Sequence, residues 1–322
     1  MTQQFLSGLP LAERAVRVRA LRHRRQRRHS TVRLCGSDGA DCVAERARAG
    51  APSDAEIKTF VATHGFHPQQ CAISHGQLQH EAPVIMEFAR RFHGEGFNLH
   101  IHAIGDRAVR TAVDAIEAAR QADGNSTTRD GLAHVQPAHP ADVARIGRDH
   151  LYIAYTYAWA NVEHDYDMTV IPFLQKVAGD GYADLHAPGS YYEEDAYPVR
   201  STRKAGAVVA AGSDAPVQTR DPRPFYNISR ALTRALPGER ALNAAQALSI
   251  DEALRAYTIN GARRLGIDGV AGTLESGKSA DFVIVDRDPL KLAAAGKAVE
   301  IEKIKVLSTW FMGKEVYAAR HR

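Results

Sequence analysis

Residues 99–108 (LHIHAIGDRA) combine a strand pattern that carries two histidines with the start of a helix. His100 and His102 alternate with apolar residues, so a strand places both side chains on one face. Gly105 and Asp106 end the strand, and the residues that follow have helical apolar spacing. A strand that delivers imidazoles to its carboxyl end and continues into a helix is typical of β/α barrels, whose chemistry lies at that end. Imidazole there suits zinc or a similar divalent metal.

Strands alternate with helices from about residue 55 to 265, which predicts a parallel, barrel-like α/β architecture. Beyond residue 270 the pattern changes to short strands with tight turns, which predicts a small β unit. Ser249 and Glu252 have the spacing of a capping box and mark a helix start. The elements predicted with the clearest patterns are helices at 82–93, 108–122 and 249–266 and strands at 131–136, 151–159 and 207–217.

Two further polar residues end predicted strands. His134 lies in the strand LAHVQ, and Asp214 ends the apolar strand AVVAAGSDAPV. A carboxylate at the end of an apolar strand is costly unless it is paired or bound to metal. Asp214 could also cap the following turn, and a single histidine can serve packing alone. The order His102, His134, Asp214 along one β/α series is a more specific signal for a metal site than any one of these residues, because each side chain would face the same barrel mouth.

Three aromatic residues, Tyr155, Tyr157 and Trp159, recur at period two in the strand 151–159. They could line a substrate pocket or fill the core, and the pattern favours the core.

Composition excludes several classes of protein. No apolar run reaches the roughly 18 residues of a membrane span. The three cysteines form neither a disulfide framework nor a CxxC metal motif, which favours reduced thiols and a cytoplasmic protein.

Residues 1–50 hold eleven arginines, no lysine and four acidic residues. The arginine run at 17–30 could bind nucleic acid, act in targeting or be a solvated tail. It lacks interleaved aromatic residues for base stacking, which argues against nucleic acid.

Several motifs in series resemble the amidohydrolase superfamily, and its YtcJ-like branch in particular, which includes N-substituted formamide deformylases. They are HAIGDRAV, AHVQ, YPVRS, AGSDAPV, LRAYTINGARRLG, GTLESGKSADFVIVDRDPL and KVLSTWFMGKEVY. The resemblance covers roughly residues 80–322. It implies an α/β fold in which a partial, metal-dependent, TIM-like (β/α) barrel carries a small C-terminal β-sandwich unit. The family holds one or two divalent metal ions at the barrel mouth.

The resemblance also implies roles for individual residues. His102 and His134 match the metal-binding histidines of the fifth and sixth strands. Asp214 matches the eighth-strand aspartate, which binds metal and accepts a proton from the attacking water. The bridging lysine of the fourth strand falls on Lys58, although the family's following Asp-Gly is replaced by Ala62-Thr63. An exposed strand lysine is the alternative interpretation of Lys58.

The chain departs from the family pattern at its start. No His-x-His pair occurs upstream of residue 55, where the family carries one in its first strand. We therefore expect an N-terminally truncated enzyme. Its parts would be an atypical, disordered or out-of-family arginine-rich segment at 1–52, barrel strands four to eight at 53–268, and the β unit at 269–322. At most one metal ion, with zinc the first expectation, would be held by Lys58, His102 and His134.

The sequence thus predicts a metal-dependent amidohydrolase that cleaves a non-peptide C–N bond of a small amide, with activity impaired by the missing motif. The alternative is an inactive fragment that only binds or self-associates. An incomplete barrel exposes unpaired strand edges, which a homodimer could cover. No membrane partner is expected.

Overall fold

The computed structural model describes residues 15–18, 53–64, 78–163, 167, 171, 182–215 and 220–319, with the backbone alone at 15–18, 54, 57, 61, 64, 182 and 183. Two sheets lie within these ranges. The strands are β1 (Ala15–Val18), β2 (Asn98–Ala103), β3 (Gly131–His134), β4 (Tyr152–Tyr155), β5 (Val208–Ala211), β6 (Phe282–Val285), β7 (Val306–Phe311) and β8 (Lys314–Ala318). The helices are α1 (Asp54–His64), α2 (Ala82–Gly94), α3 (Asp106–Asp123), α4 (Pro140–Arg148), α5 (Tyr191–Asp195), α6 (Val199–Ala205), α7 (Pro224–Thr233), α8 (Ile250–Tyr257), α9 (Ile259–Leu265) and α10 (Pro289–Ala294).

Strands β1 to β5 form one parallel sheet in sequence order. A helix separates each consecutive pair from β2 to β4, and β5 follows α5 and α6. The parallel α/β architecture is therefore confirmed. Because all five strands run in the same direction, their carboxyl ends lie along one edge, where the following loops meet. Strand β1 belongs to the arginine-rich segment, and it pairs with β2 from Ala15 opposite Asn98 to Val18 opposite Ile101.

Helix α3 packs on the sheet through an apolar stripe of side chains. Val109, Val113 and Ile116 recur at helical spacing and are buried in one core cluster with Leu99 of β2 and Leu132 of β3. Burial of such a side chain stabilises the fold by about 1.5–3 kcal/mol. The polar face of α3 remains outside, so this amphipathic helix packs on the sheet through one stripe.

Lys58 does not lie on a strand, and the prediction of a strand there is wrong. It is exposed on α1, which begins after Ser53. The Ser53 backbone N–H donates to Glu56 Oε2 at 2.7 Å, and the Glu56 N–H donates to Ser53 Oγ at 3.4 Å. This reciprocal cap starts a helix, and Phe60 on this helix is buried. The strand beside β2 is β1, whose sequence AVRV contains no lysine.

The predicted C-terminal β unit is confirmed as an antiparallel sheet in which β7 lies between β6 and β8. Phe282 and Trp310 stack across β6 and β7 with ring centroids 5.5 Å apart. Several apolar side chains, including Val283, Ile284 and Val316, are exposed on this sheet. Among the helices that the structure describes, none is long and apolar enough to cross a membrane.

The helix predicted over 249–266 is interrupted. Ser249 caps α8 in the expected box with Glu252. Thr258 then leaves helical dihedral angles (φ −120°, ψ −99°), and α9 starts at the next residue. The Asn260 side chain in α9 donates to the Val209 carbonyl of β5 at 2.8 Å. The break thus accompanies a tertiary hydrogen bond that a local pattern does not encode.

A buried polar network lies at the opposite, amino-terminal end of the sheet. Asp130, immediately before β3, has no exposed surface. Its Oδ1 accepts the Leu99 N–H at 2.8 Å, and its Oδ2 accepts Arg120 Nε at 2.8 Å and the Thr128 hydroxyl. His93 Nε2 lies 3.3 Å from the same oxygen. We call Asp130 and these four partners the Asp130 network; it joins α2, α3 and β2 to the start of β3.

Candidate functional site

His102 and His134 meet at the carboxyl ends of adjacent strands. The parallel register pairs Ala103 of β2 with His134, so the two histidines are one step apart along the sheet edge. Their ring centroids are 4.4 Å apart with an interplanar angle of 65°. His102 is exposed, whereas His134 is only 3% exposed. The structure therefore brings together two of the predicted ligands, one reachable from solvent and one held within the protein.

The backbone at the end of β3 is bent in an unusual way. His134 has φ 75° and Val135 has φ 46°, in the left-handed region. A β-branched residue rarely adopts this conformation, which is costly and occurs most often where function requires it. The Val135 N–H still donates to the Ala103 carbonyl at 2.9 Å, so β3 stays attached to β2 through the bend. This bend sets the direction in which His134 leaves the sheet.

The His134 ring contacts two residues that follow β4. Its Nδ1 is 3.2 Å from Thr156 Oγ1, and its ring stacks on Trp159 with centroids 5.0 Å apart and planes 13° apart. Of the three aromatic residues considered in the sequence, Tyr155 and Tyr157 are fully buried and stack on one another in the core. Trp159 is half-buried beside the histidine pair. Thr156 and Trp159 are thus part of the site, and no local pattern in the sequence predicts either contact.

Asp214 lies three residues beyond β5, at the same edge of the sheet. It is half-buried, and its φ is 51°. The Gly212 N–H donates to the Tyr155 carbonyl at 2.9 Å, which continues the β4–β5 ladder toward Asp214. No group of three His, Cys, Asp or Glu side chains suited to a metal ion occurs within the described ranges. The histidines therefore meet as a pair, and Asp214 does not join them in a three-ligand group.

The donor chemistry of the histidine pair fits a borderline metal ion such as zinc. Imidazole nitrogen is a preferred zinc ligand, and catalytic zinc sites use three protein ligands with an open fourth position, of which this pair would supply two. A hydrogen bond to one ring nitrogen determines which nitrogen faces the metal. Since Thr156 contacts Nδ1 of His134, Nε2 is the nitrogen that would bind.

A second polar group lies at the start of α3, four residues after His102 in the chain. Asp106 follows β2, and its Oδ2 accepts the Tyr191 hydroxyl of α5 at 2.9 Å. Burial and the nearby Asp106 carboxylate raise the pKa of Tyr191. Burial, together with the charges of Glu194 and Asp106, raises the pKa of Asp195 to about 6. Asp195 therefore exchanges its proton closer to neutral pH than an ordinary carboxyl group.

His186 lies between two carboxylates. Its Nε2 is 3.0 Å from Asp167 Oδ2, and its Nδ1 is 3.5 Å from Glu193 Oε2. Arg240 pairs with Glu193 at 2.9 Å. Burial disfavours the imidazolium, but the hydrogen bond with Asp167 and the adjacent Glu193 carboxylate outweigh it and raise the pKa of His186. Burial also opposes ionisation of Glu193, yet the adjacent His186 ring and the hydrogen bond from Arg240 lower its pKa to about 2.

This arrangement predicts a pH-dependent stability difference between the wild type and His186→Gln. A pKa that is raised in the folded state stabilises the fold below the unfolded pKa, near 6.5, and this contribution disappears as pH rises through the folded pKa. In urea unfolding, the wild-type advantage should be larger at about pH 5.5 than at about pH 9. An advantage that is constant, or that grows toward high pH, contradicts a charged His186.

Comparisons with known proteins agree with this architecture. The model of the amidohydrolase family matches residues 12–317, which includes β1 and the arginine run. N-substituted formamide deformylase of Arthrobacter pascens is 29% identical over 71% of this chain and 38% of its own length. The putative amidohydrolase YtcJ of Bacillus subtilis is 24% identical over 76% of this chain and 42% of its own. The chain thus spans less than half the length of these relatives.

A solved structure is similar in fold. The uncharacterized metal-dependent hydrolase from Pyrococcus horikoshii superposes with a TM-score of 0.54 at 23% identity. The match covers 70% of this chain and 40% of that one. The parallel sheet with its helices thus corresponds to part of a larger fold.

Proposed function

This chain belongs to the amidohydrolase family, in its YtcJ-like branch, and we propose that it hydrolyses a non-peptide amide C–N bond with a divalent metal ion held by His102 and His134. The observation that carries this proposal is the pair of imidazole rings of His102 and His134, whose centroids are 4.4 Å apart at the carboxyl ends of adjacent parallel strands. Zinc is the first ion to test, because it is commonly bound by imidazole. Lys58 has no place in this proposal, since its assignment depended on a strand that is a helix.

Each residue has a distinct proposed role. A divalent ion held by His102 and His134 would supply polarisation of the amide carbonyl and a pKa of about 7 for the attacking water. His134 is the fixed ligand, since it is buried and contacted on two sides, and His102 is the ligand nearer to solvent. Asp214 accepts a proton from the attacking water and passes it to the departing amine, which is general acid–base catalysis.

The proposed substrate class is based on what the matched relatives are named for, and not on the shape of a binding pocket. N-substituted formamide deformylase is among the matched proteins, so N-substituted formamides are the first amides to test. Cleavage would release formate and an amine, and formate release is a simple assay. Other small amides form the second panel.

The variant Asp214→Asn tests the proton-transfer role. Asparagine has nearly the same shape and also tolerates the left-handed φ at this position. We expect the formate-release rate to fall by about 100-fold or more, because general acid–base groups contribute about 10²–10⁴-fold. Measuring kcat with saturating substrate in the zinc-loaded protein checks this.

The neighbouring exposed residue Asp221 provides the control, and Asp221→Asn should retain wild-type kcat. If Asp214→Asn has the same kcat as the wild type, Asp214 does not transfer the proton.

A second candidate function is metal binding or self-association without turnover. It is favoured by the absence of a three-ligand group from the part of the chain that the structure describes, and by the exposed apolar residues of the C-terminal sheet. A homodimer could cover that sheet. Metal uptake without release of an amine from any amide in either panel would favour this candidate over hydrolysis.

A further inference from the structure

The segment that follows β4 contacts the His134 ring in two different ways. Thr156, which is 2% exposed, places Oγ1 3.2 Å from Nδ1 of the ring. Trp159 stacks on the ring face. A hydrogen bond at one nitrogen restricts rotation of the ring within its plane, and a stacked indole restricts tilting out of that plane. Together they limit both motions of one imidazole.

The segment is itself held from the opposite side. Tyr157–Trp159 forms a 3-10 turn, and the Ala158 N–H in that turn donates to Asn227 Oδ1 at 2.9 Å. Asn227 lies on α7 and is 1% exposed. Its Nδ2 donates to the carbonyls of Pro222 at 3.3 Å and Arg223 at 3.1 Å. The Asn227 amide therefore ties the turn to the start of α7, in the segment of chain after Asp214.

The turn carries the core residue Tyr157 as well as the contacts that reach the His134 ring. The Asn227 side chain bonds backbone groups of two separate loops, and Thr156 is directed at a ring that would bind metal. Hydrogen-bond partners of metal-binding histidines fix the tautomer and the ring orientation, and their loss commonly weakens metal binding 10- to 100-fold. When Nδ1–H of His134 donates to Thr156, the lone pair lies on Nε2.

We infer that Thr156, Trp159 and Asn227 are positioning residues for His134, with Thr156 selecting the ring nitrogen, Trp159 fixing the ring plane and Asn227 anchoring the turn that carries both. This inference rests on the proposed metal-dependent function, because it assigns a second layer of residues to that same site. It makes Thr156 the residue outside the ligand pair on which metal affinity depends most.

The test is cobalt binding by the full chain. Isothermal titration with Co²⁺ gives the affinity, and the visible absorption of the bound ion reports the ligand geometry. Thr156→Val removes the hydroxyl with little change in shape, and we expect about tenfold weaker binding with an altered spectrum. Thr156→Ser keeps the hydroxyl and should restore affinity to within about twofold.

Thr202→Val is the matched control, because Thr202 is also fully buried and its hydroxyl donates to the Val199 carbonyl at 2.9 Å and lies 3.2 Å from the Tyr155 hydroxyl, without contacting His134. It should lose stability without losing cobalt affinity. Thermal unfolding of each metal-free variant identifies any that fail to fold. Asn227→Leu supplies the second variant, since Asn227 itself does not contact His134. It should weaken cobalt binding by about threefold to tenfold, which is less than the 10- to 100-fold loss for a direct partner of a ligand.

The outcomes separate this inference from the proposed function. If the wild type binds no cobalt, both are overturned. If the wild type binds cobalt and Thr156→Val and Asn227→Leu bind it equally well with an unchanged spectrum, the positioning inference is wrong and the metal site stands. Equal losses in Thr156→Val and Thr202→Val would also overturn the inference, because loss of any buried hydroxyl would then suffice.

Discussion

Replacing His134 with alanine is expected to weaken zinc binding by about 100-fold or more, because the change removes the buried one of two imidazole ligands. His102→Ala should have a similar effect, since the two rings form one pair. Elemental analysis of zinc-loaded, desalted protein checks this as metal per chain. We expect about one ion in the wild type and near none in either variant, in line with a single site built on this pair.

The matched control is His80→Ala, because His80 is exposed and lies just before α2. It should bind as much zinc as the wild type. Equal metal content in the His80, His102 and His134 variants would mean that zinc binds elsewhere. Retained metal in His102→Ala alone would leave His134 as the anchor and require another partner for it.

The largest expected effect on stability is that of Asp130→Asn. The amide keeps the shape of the carboxylate but removes the negative charge that faces Arg120, whose side chain is only 10% exposed. It also brings an N–H₂ group toward donors that now bond Oδ1 and Oδ2. Breaking a buried charged pair by changing one partner costs about 3–5 kcal/mol. Urea unfolding should show a loss of this size in the free energy of unfolding.

Asp251→Asn serves as the control. Asp251 is 80% exposed and 3.8 Å from Arg255, one helical turn away. Exposed pairs of this kind contribute at most about 0.5 kcal/mol. Because the Asp130 network lies at the amino-terminal end of the sheet, folded Asp130→Asn should bind zinc as the wild type does. A loss below about 1 kcal/mol would contradict the structural role of the network.

Local patterns were sufficient for strands β2 to β5 and for the two histidines. Period-two alternation placed His102 on a strand, and the break at Gly105 placed it near the strand end, as β2 shows. The capping box at Ser249 was equally local and is confirmed. A parallel sheet brings successive strand ends together, so the order of motifs was enough to predict that His102 and His134 would meet.

The same reasoning failed where competing signals were weighed wrongly. The run after Ser53 has both a capping residue and an apolar stretch, and the stretch was interpreted as a strand carrying Lys58. The structure shows that the capping residues determine the secondary structure, because Ser53 and Glu56 satisfy each other's backbone N–H groups and start helix α1. The strand beside β2 instead comes from the arginine-rich segment, whose composition gave no indication of it.

Hydrogen bonds between segments that are far apart in the chain could not be predicted from the sequence. Thr156 and His134 are 22 residues apart, and Asn227 and Ala158 are 69 apart. Nothing in the local pattern of either partner marks these hydrogen bonds. Trp159 shared the period of two buried tyrosines, yet the chain turns after Tyr155 and moves Trp159 out of the core to the histidine ring.

The fluorescence of Trp159 offers the most direct test of metal binding at His134. The chain has two tryptophans, so in a Trp310→Phe variant all tryptophan emission comes from Trp159, which stacks on His134. Titration with paramagnetic Co²⁺ should quench this emission to saturation at one ion per chain, zinc should reverse the quenching, and His134→Ala should abolish it. Cobalt that binds without quenching Trp159, or that quenches it equally after His134→Ala, would contradict a metal site at the histidine pair.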